Sequence, residues 1–297
     1  MAFRISEYKK LSTEKENPKS KFLDRLSIEN ALLLMNQEDR KVPQAVAKEI
    51  KNIASAVQSI VEVLKFGGRI FFVGAGTSGR LGVMESAELP PTFDTSPQLA
   101  QAIMAGGKRA VFRSQEGAED NVQRAKIEIQ RHVKKQDIVI GIAASGITPF
   151  VQSALHQAKR MGAHTILVTC NAHPSVRKKA DIVIAPKVGP EVVAGSTRMK
   201  SGTATKMVLN MLTTISMVQM GKVYGNKMVD LQPKSRKLTE RGIHLIQELA
   251  GVSPESSRQY FRLAHRRVKV AILMAKRDLS FKQAMEELKK SHGFLQI

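Results

Sequence analysis

The chain has 297 residues, of which 42% are hydrophobic and 25% charged, with a formal net charge of +21 and a single cysteine, Cys170. That length buries a full core and suits one large domain plus a small one; no apolar run reaches the roughly 18 residues of a membrane span, and the N-terminal MAFRISEYKK has neither an h-region nor a cleavage site, so the expected setting is the cytoplasm, away from membranes and secretion. The lone cysteine rules out an internal disulfide, and a basic excess spread along the chain with 5% aromatics and no Trp favours a surface that attracts anionic substrates over a nucleic-acid platform.

Residues 1–30 are polar and charged and read as an arm over the main body or over a partner subunit. Ser27 is placed to cap a helix carrying Ala31, Leu32, Leu34 and Met35, and Pro43 to start a second one running through Val46, Ile53, Val57, Ile60 and Leu64 to Gly67-Gly68. Ile70-Phe71-Phe72-Val73 reads as a buried strand, followed by Gly74 to Gly79 and a helix expected to stop at Pro90-Pro91. Residues 99–104 read as a strand, 115–129 as a helix, 137–142 as a strand, 149–161 as a helix, and 165–170 and 181–185 as two more strands. Five continuous apolar strands separated by helices predict an α/β fold, a three-layer doubly wound parallel sheet. Cys170 ends one of those runs and reads as core packing. A further helix follows Gly195 to Thr203, with Met207, Met211, Leu212 and Ile215. After a linker at Gly225-Asn226 and Pro233, four short helices are expected: 238–250 closed by Gly251, one opened by Ser253-Pro254, one around 268–275, and one capped by Ser280. Arg266-Arg267-Val268-Lys269 interleaves with apolar residues and reads as an amphipathic packing helix.

A strand, a glycine-rich turn bearing hydroxyls and a helix N-terminus together make an anion-binding device, for a nucleotide or a phosphate. Gly79 is followed by Arg80, so Walker A is excluded; Gly74, Gly76 and Gly79 formally match GxGxxG, but no acidic ribose partner follows about 20 residues on. The design recurs after the third strand. Thr77, Ser78 and Gly79 in the first turn, with Ser145, Gly146 and Thr148 in the second, would surround a phosphate at one sheet edge. Glu85/Glu88 and Glu116/Glu119 are each spaced three apart, as on one helix face. Glu88 near a helix C-terminus is expected to ionise less readily, which suits a general acid. Ten helical residues from Ser78 to Glu88 span roughly 15 Å, more than a hexose phosphate, which predicts an active site at a dimer interface. The histidine spacings and the lone cysteine offer no zinc cluster.

The segments GAGTSGRLGVMESAELPPTF (74–93), EGAEDN (116–121), GIAASGITPF (141–150), VGPEVVAGSTRMKSGTATKMVLNMLTT (188–214) and GKVYGNKMVD (221–230) closely resemble the N-acetylmuramic acid 6-phosphate etherases, of the sugar isomerase (SIS) fold group. The likeness covers nearly the whole chain. It implies an N-terminal arm with helices over 1–55, an SIS domain over 56–230 and a helical domain over 237–297. It also implies cleavage of the lactyl ether of N-acetylmuramate 6-phosphate, no cofactor or metal, Glu88 as proton donor and Glu119 as the second acid/base; the homodimer is expected from the helix length above. Arg198 or Lys200 is added as a partner for the substrate carboxylate. Glu85, Leu89 and Ile147 stand where the family usually has Asp, Cys and Arg. Rival readings are a sugar-phosphate sensor without catalysis, an SIS transcription regulator and an aldose–ketose isomerase.

Overall fold

The computed structural model describes residues 11–171 and 179–297, so the first ten residues of the expected arm lie outside it. Strands β1 (Ile70–Gly74), β2 (Ala100–Met104), β3 (Ile138–Ile142), β4 (His164–Val168) and β5 (Ile182–Ile184) form one parallel sheet in the order β2-β1-β3-β4-β5. The helices are α1 (Ile28–Asp39), α2 (Lys41–Ala47), α3 (Ile50–Lys65), α4 (Gly76–Phe93), α5 (Gly107–Phe112), α6 (Val122–His132), α7 (Pro149–Arg160), α8 (Lys200–Gln219), α9 (Arg236–Ala250), α10 (Pro254–Leu263), α11 (Val268–Arg277) and α12 (Phe281–Lys290). By contacts the chain divides into two compact units, Met1–Ser86 with Gln98–Thr213, and Ala87–Pro97 with Thr214–Ile297.

In the first unit the strands are short apolar runs because both faces are covered. Phe71, Val73, Val139 and Leu167 pack with Ile129 of α6 and Phe150, Val151 and Leu155 of α7. On the opposite face α4 comes so close that a Cβ on Gly82 would stand 2.8 Å from the Phe72 Cβ. This is the expected three-layer doubly wound arrangement. At the N-terminal ends of β1 and β3, the fully buried Asp137 accepts the Arg69 backbone N–H at 2.9 Å and its Nη2 at 2.7 Å, plus the Lys134 N–H at 2.7 Å. The hydroxyl end of the sheet lies at the other side. Gly74, the last residue of β1, is in register with Ile142, the last of β3, so the two candidate turns leave neighbouring strands at one edge.

Several expectations need correction. The helix expected to stop at Pro90-Pro91 runs on to Phe93, and the Asp94 N–H donates to the Pro90 carbonyl at 3.1 Å. Each proline deletes its own N–H and keeps a φ compatible with a helix, so later donors carry the turn forward. The single helix read over 115–129 is instead a 3-10 turn, Ala118–Asp120, and then α6, because Gly117 takes a left-handed φ of 70°. Glu116 and Glu119 therefore do not share a helix face. The helix begun at Pro43 is broken between Ala47 and Ile50 into α2 and α3.

The second unit holds the four C-terminal helices at the expected places, with Ser235, Ser253 and Ser280 capping α9, α10 and α12 and Gly251 closing α9 in a left-handed conformation. Residues 268–274 of α11 are buried throughout, so that helix is a central one and not amphipathic. Lys269 is buried with them. Its ammonium donates to Asp230 Oδ2 at 2.7 Å and to the carbonyls of Gly221 and Gly293, both at 2.8 Å. Burial lowers its pKa, and the facing Asp230 works against that shift. Among the described residues no helix is long and apolar enough to cross a membrane.

Candidate active site

The site starts from the turn between β1 and α4. A Cβ on Gly79 would lie 2.7 Å from the Gly74 carbonyl oxygen, so only glycine lets the first turn of α4 fold back onto the strand end. That contact leaves Thr77 and Ser78 half-buried at the helix N-terminus, and no described residue engages either hydroxyl. The second turn is held from several sides. The Ser145 hydroxyl accepts the Ile147 N–H at 3.4 Å, Asn171 Nδ2 donates to the Ser145 carbonyl at 2.9 Å, and Gln152 Nε2 donates to the Gly146 carbonyl. Gly146 has a φ of 74°. Thr148 is the N-cap residue of α7, yet its hydroxyl caps nothing and remains available. Two helix N-termini with hydroxyls and glycine amides at adjacent strand ends can hold a phosphate dianion.

A cleft of about 200 Å³ adjoins the first turn, lined by Gly76, Arg80, Met104, Ser114, Glu116 and Glu119. Arg80 forms a wall: its Nε and Nη2 donate to the carbonyls of Val111 and Ala110, both at 2.9 Å, so it braces the end of α5. Glu119 is an exposed residue, yet its carboxyl is partly desolvated against the cleft. That burial is the largest influence raising its pKa, and the charges of Asp120 and Glu116 add to it. A carboxyl that holds its proton more tightly than usual suits acid/base work. A larger cavity of about 680 Å³ lies along the free edge of β2 with Lys108, Arg124 and Arg131 at its rim. Neither hydroxyl turn lines it, so the chemistry is assigned to the smaller cleft.

Glu88 sits exposed on α4 in the second compact unit and has no hydrogen-bond or ion-pair partner among the described residues. Glu85, three residues earlier, is different: it is buried, and its carboxylate is held by Lys206 and Thr213. Arg198 is exposed on the loop before α8. Lys200 is not. Its side chain is 1% exposed and its ammonium meets Glu38 Oε2 at 2.7 Å, because a buried cation needs a facing anion. Its backbone N–H is taken by Glu191 as well. Lys200 is thereby committed to the interior and removed as a partner for a substrate carboxylate. Among the described residues no group of three His, Cys, Asp or Glu side chains is placed to hold a metal ion.

Sequence reading missed Glu191, Glu38, Asn17, Arg80 and Asn171. Asn17 had a local sign, lying just before Pro18, where its side chain accepts the Lys19 N–H. Glu38 had one too, facing Lys41 three residues on, whereas Glu191 holds amides nine and ten residues on, and Arg80 and Asn171 meet carbonyls further still along the chain.

Comparison with known proteins bears on this geometry. A family model described as the SIS domain matches residues 121–215, and one described as the glucokinase regulatory protein N-terminal SIS domain matches residues 52–159. The chain is 46% identical over 286 residues to the N-acetylmuramic acid 6-phosphate etherase of Geobacillus thermodenitrificans, covering 96% of this chain and 97% of that one. Identity is 47% over 293 residues to the etherase of Salinibacter ruber, covering 98% and 94%. Lactiplantibacillus plantarum has a further relative, its N-acetylmuramic acid 6-phosphate etherase 2, at 47% over 287 residues. A solved phosphoheptose isomerase from Neisseria gonorrhoeae aligns with a TM-score of 0.50 at 14% identity, over 64% of this chain and 98% of that one, which concerns the fold alone. With that level of identity running through nearly all of both chains, this protein belongs to the N-acetylmuramic acid 6-phosphate etherase family.

Proposed function

We propose that the protein cleaves the lactyl ether of N-acetylmuramic acid 6-phosphate, taking up one water and giving N-acetylglucosamine 6-phosphate and D-lactate. Thr77, Ser78, Gly79, Ser145, Gly146 and Thr148 grip the 6-phosphate through hydroxyls and amides. In the open-chain sugar the C1 aldehyde acidifies the C2 proton. A carboxylate takes that proton, the C2=C3 bond forms, and the C3–O bond breaks as an acid protonates the departing lactyl oxygen. Water then adds at C3 while a proton returns to C2. Glu88 is assigned as proton donor and Glu119 as the second acid/base. The observation that carries the reading is that Glu119, with its raised pKa, lines the cleft that opens onto Gly76 in the phosphate turn.

Along α4, Glu88 lies ten residues beyond Ser78, roughly 15 Å on, so it is assigned to the site of a second subunit in a cytoplasmic homodimer. Support comes from the apolar residues left exposed on the N-terminal segment, Phe22, Ile28, Leu32 and Leu33 at 53%, 82%, 60% and 51%. Incubation with N-acetylmuramic acid 6-phosphate should release D-lactate, while Glu88→Gln and Glu119→Gln should lose turnover and still bind a hexose 6-phosphate. Full turnover in either variant removes that residue from its role, and no lactate from the unaltered protein overturns the reading.

A further inference from the structure

The loop over residues 192–199 is closed at its base by the protein's own charges. Glu191 is fully buried and clasps the first two amides of α8, accepting the Lys200 N–H at 3.0 Å on Oε2 and the Ser201 N–H at 2.9 Å on Oε1. A second brace lies beneath. Glu38 Oε2 accepts the Lys200 ammonium at 2.7 Å and Asn17 Nδ2 at 2.9 Å, and that same Nδ2 reaches the Pro190 carbonyl at 3.4 Å. Both stems of the loop, Pro190 and Lys200, are thus tied to a single carboxylate. Within the loop, the Ser196 N–H donates to the Val193 carbonyl and the Thr197 N–H to that of Gly195, both at 3.0 Å. The loop leads into the phosphate turn's neighbourhood: Gly202, in the first turn of α8, sits against that turn, where a Cβ on it would be 3.8 Å from the Thr77 Cγ2. Arg198, next in the chain after Thr197, is exposed and has no ion-pair partner among the described residues.

We propose that this loop is a preset clamp that holds Arg198 at the rim of the phosphate turn to receive the lactyl carboxylate, making Arg198 the specificity residue and Glu191, Lys200, Glu38 and Asn17 the positioning residues behind it. The inference rests on the etherase reading. A guanidinium fits a carboxylate with two parallel hydrogen bonds, and a clamp fixed beforehand loses little freedom on binding. N-acetylglucosamine 6-phosphate shares the sugar and the phosphate and lacks the lactyl group, so it feels the cradle and not the clamp.

The test compares the two ligands in one assay, with the Michaelis constant for N-acetylmuramic acid 6-phosphate set against the inhibition constant for N-acetylglucosamine 6-phosphate. Arg198→Ala should raise the former about tenfold or more and leave the latter within about twofold, with Arg198→Lys between. Glu191→Gln loses one arm of the clasp and should, like Arg198→Ala, raise the Michaelis constant while sparing the inhibition constant. Two glycines inserted after Ala194 displace Arg198 without touching the buried charges, and exposed loops tolerate such additions; this variant should copy Arg198→Ala even where Glu191→Gln does not fold. Equal shifts in both constants, or none, overturn the clamp while lactate release by the unaltered protein leaves the etherase reading standing. Absence of lactate release by the unaltered protein overturns both.

Discussion

Lys206 of α8 meets Glu85 of α4 at 2.7 Å, and with the Thr213 hydroxyl it holds a carboxylate that is 5% exposed in the first compact unit. The pair links the helix that begins at the phosphate turn to the helix that begins at the clamp. Removing the carboxylate strands a half-exposed ammonium and leaves the Thr213 hydroxyl only the Leu209 carbonyl at 3.1 Å, which costs about 2 kcal/mol for lost hydrogen bonds to a charged group. Glu85→Ala should lower the thermal midpoint by several degrees, and Glu85→Asp by less, since one of the two partners remains within reach. An unchanged midpoint in Glu85→Ala would mean that the pair stabilises nothing.

Glu116 and Asp120 both raise the Glu119 pKa, after desolvation. Removing either charge lets Glu119 ionise at lower pH, so the limb of the pH–kcat profile that belongs to Glu119 should move to lower pH in Glu116→Gln and in Asp120→Asn. The larger displacement is expected for Asp120, whose influence is the greater of the two charges. A limb that stays in place in both variants would assign it to another group.

The sheet was legible because burial on both faces turns each strand into an uninterrupted apolar run, and all five begin and end within two residues of their expected bounds. Serine caps before α1, α10 and α12 were legible for a local reason, as a side chain bonding an amide three residues on. What stayed hidden was set by distance along the chain. Glu38 and Lys200 are 162 residues apart, and nothing near either residue shows that the lysine reads inward. The short α5 has only six residues and no room for a helical period. Of the site, the hydroxyl turns were legible from strand–glycine–helix order. The separation of Glu116 from Glu119 was not, because one left-handed glycine decided it.

Cys170 should be inert in the folded protein. Burial pushes its thiol up to about 12 against a smaller opposing pull from the Ser201 side chain, with the Glu191 charge raising it further. The thiolate is the reactive form, so a disulfide reagent at pH 8 should label Cys170 only as fast as the chain opens. Labelling in denaturant should be complete and rapid, and the native rate should rise with denaturant in step with unfolding. Fast labelling without denaturant would place the thiol at the surface.

The Glu38 network carries an acid limit for the fold. Burial alone would raise the pKa of this carboxyl, but hydrogen bonds from Lys200, Lys41 and Asn17 together with the Lys200 charge hold it at about 2, against an ordinary value of 4.5. Because the folded value lies below the unfolded one, its stabilisation is fully present above about pH 4.5 and is lost as the pH falls toward 2. Denaturation midpoints measured at steps from pH 6 to pH 2.5 should therefore fall more steeply for the unaltered protein than for Glu38→Gln, which starts lower at neutral pH because Lys200 lacks its counter-charge. Since the same carboxylate ties Pro190 to Lys200, binding of N-acetylmuramic acid 6-phosphate should weaken over that interval before global unfolding does, and parallel slopes for the two proteins would show that Glu38 ionises as freely folded as unfolded.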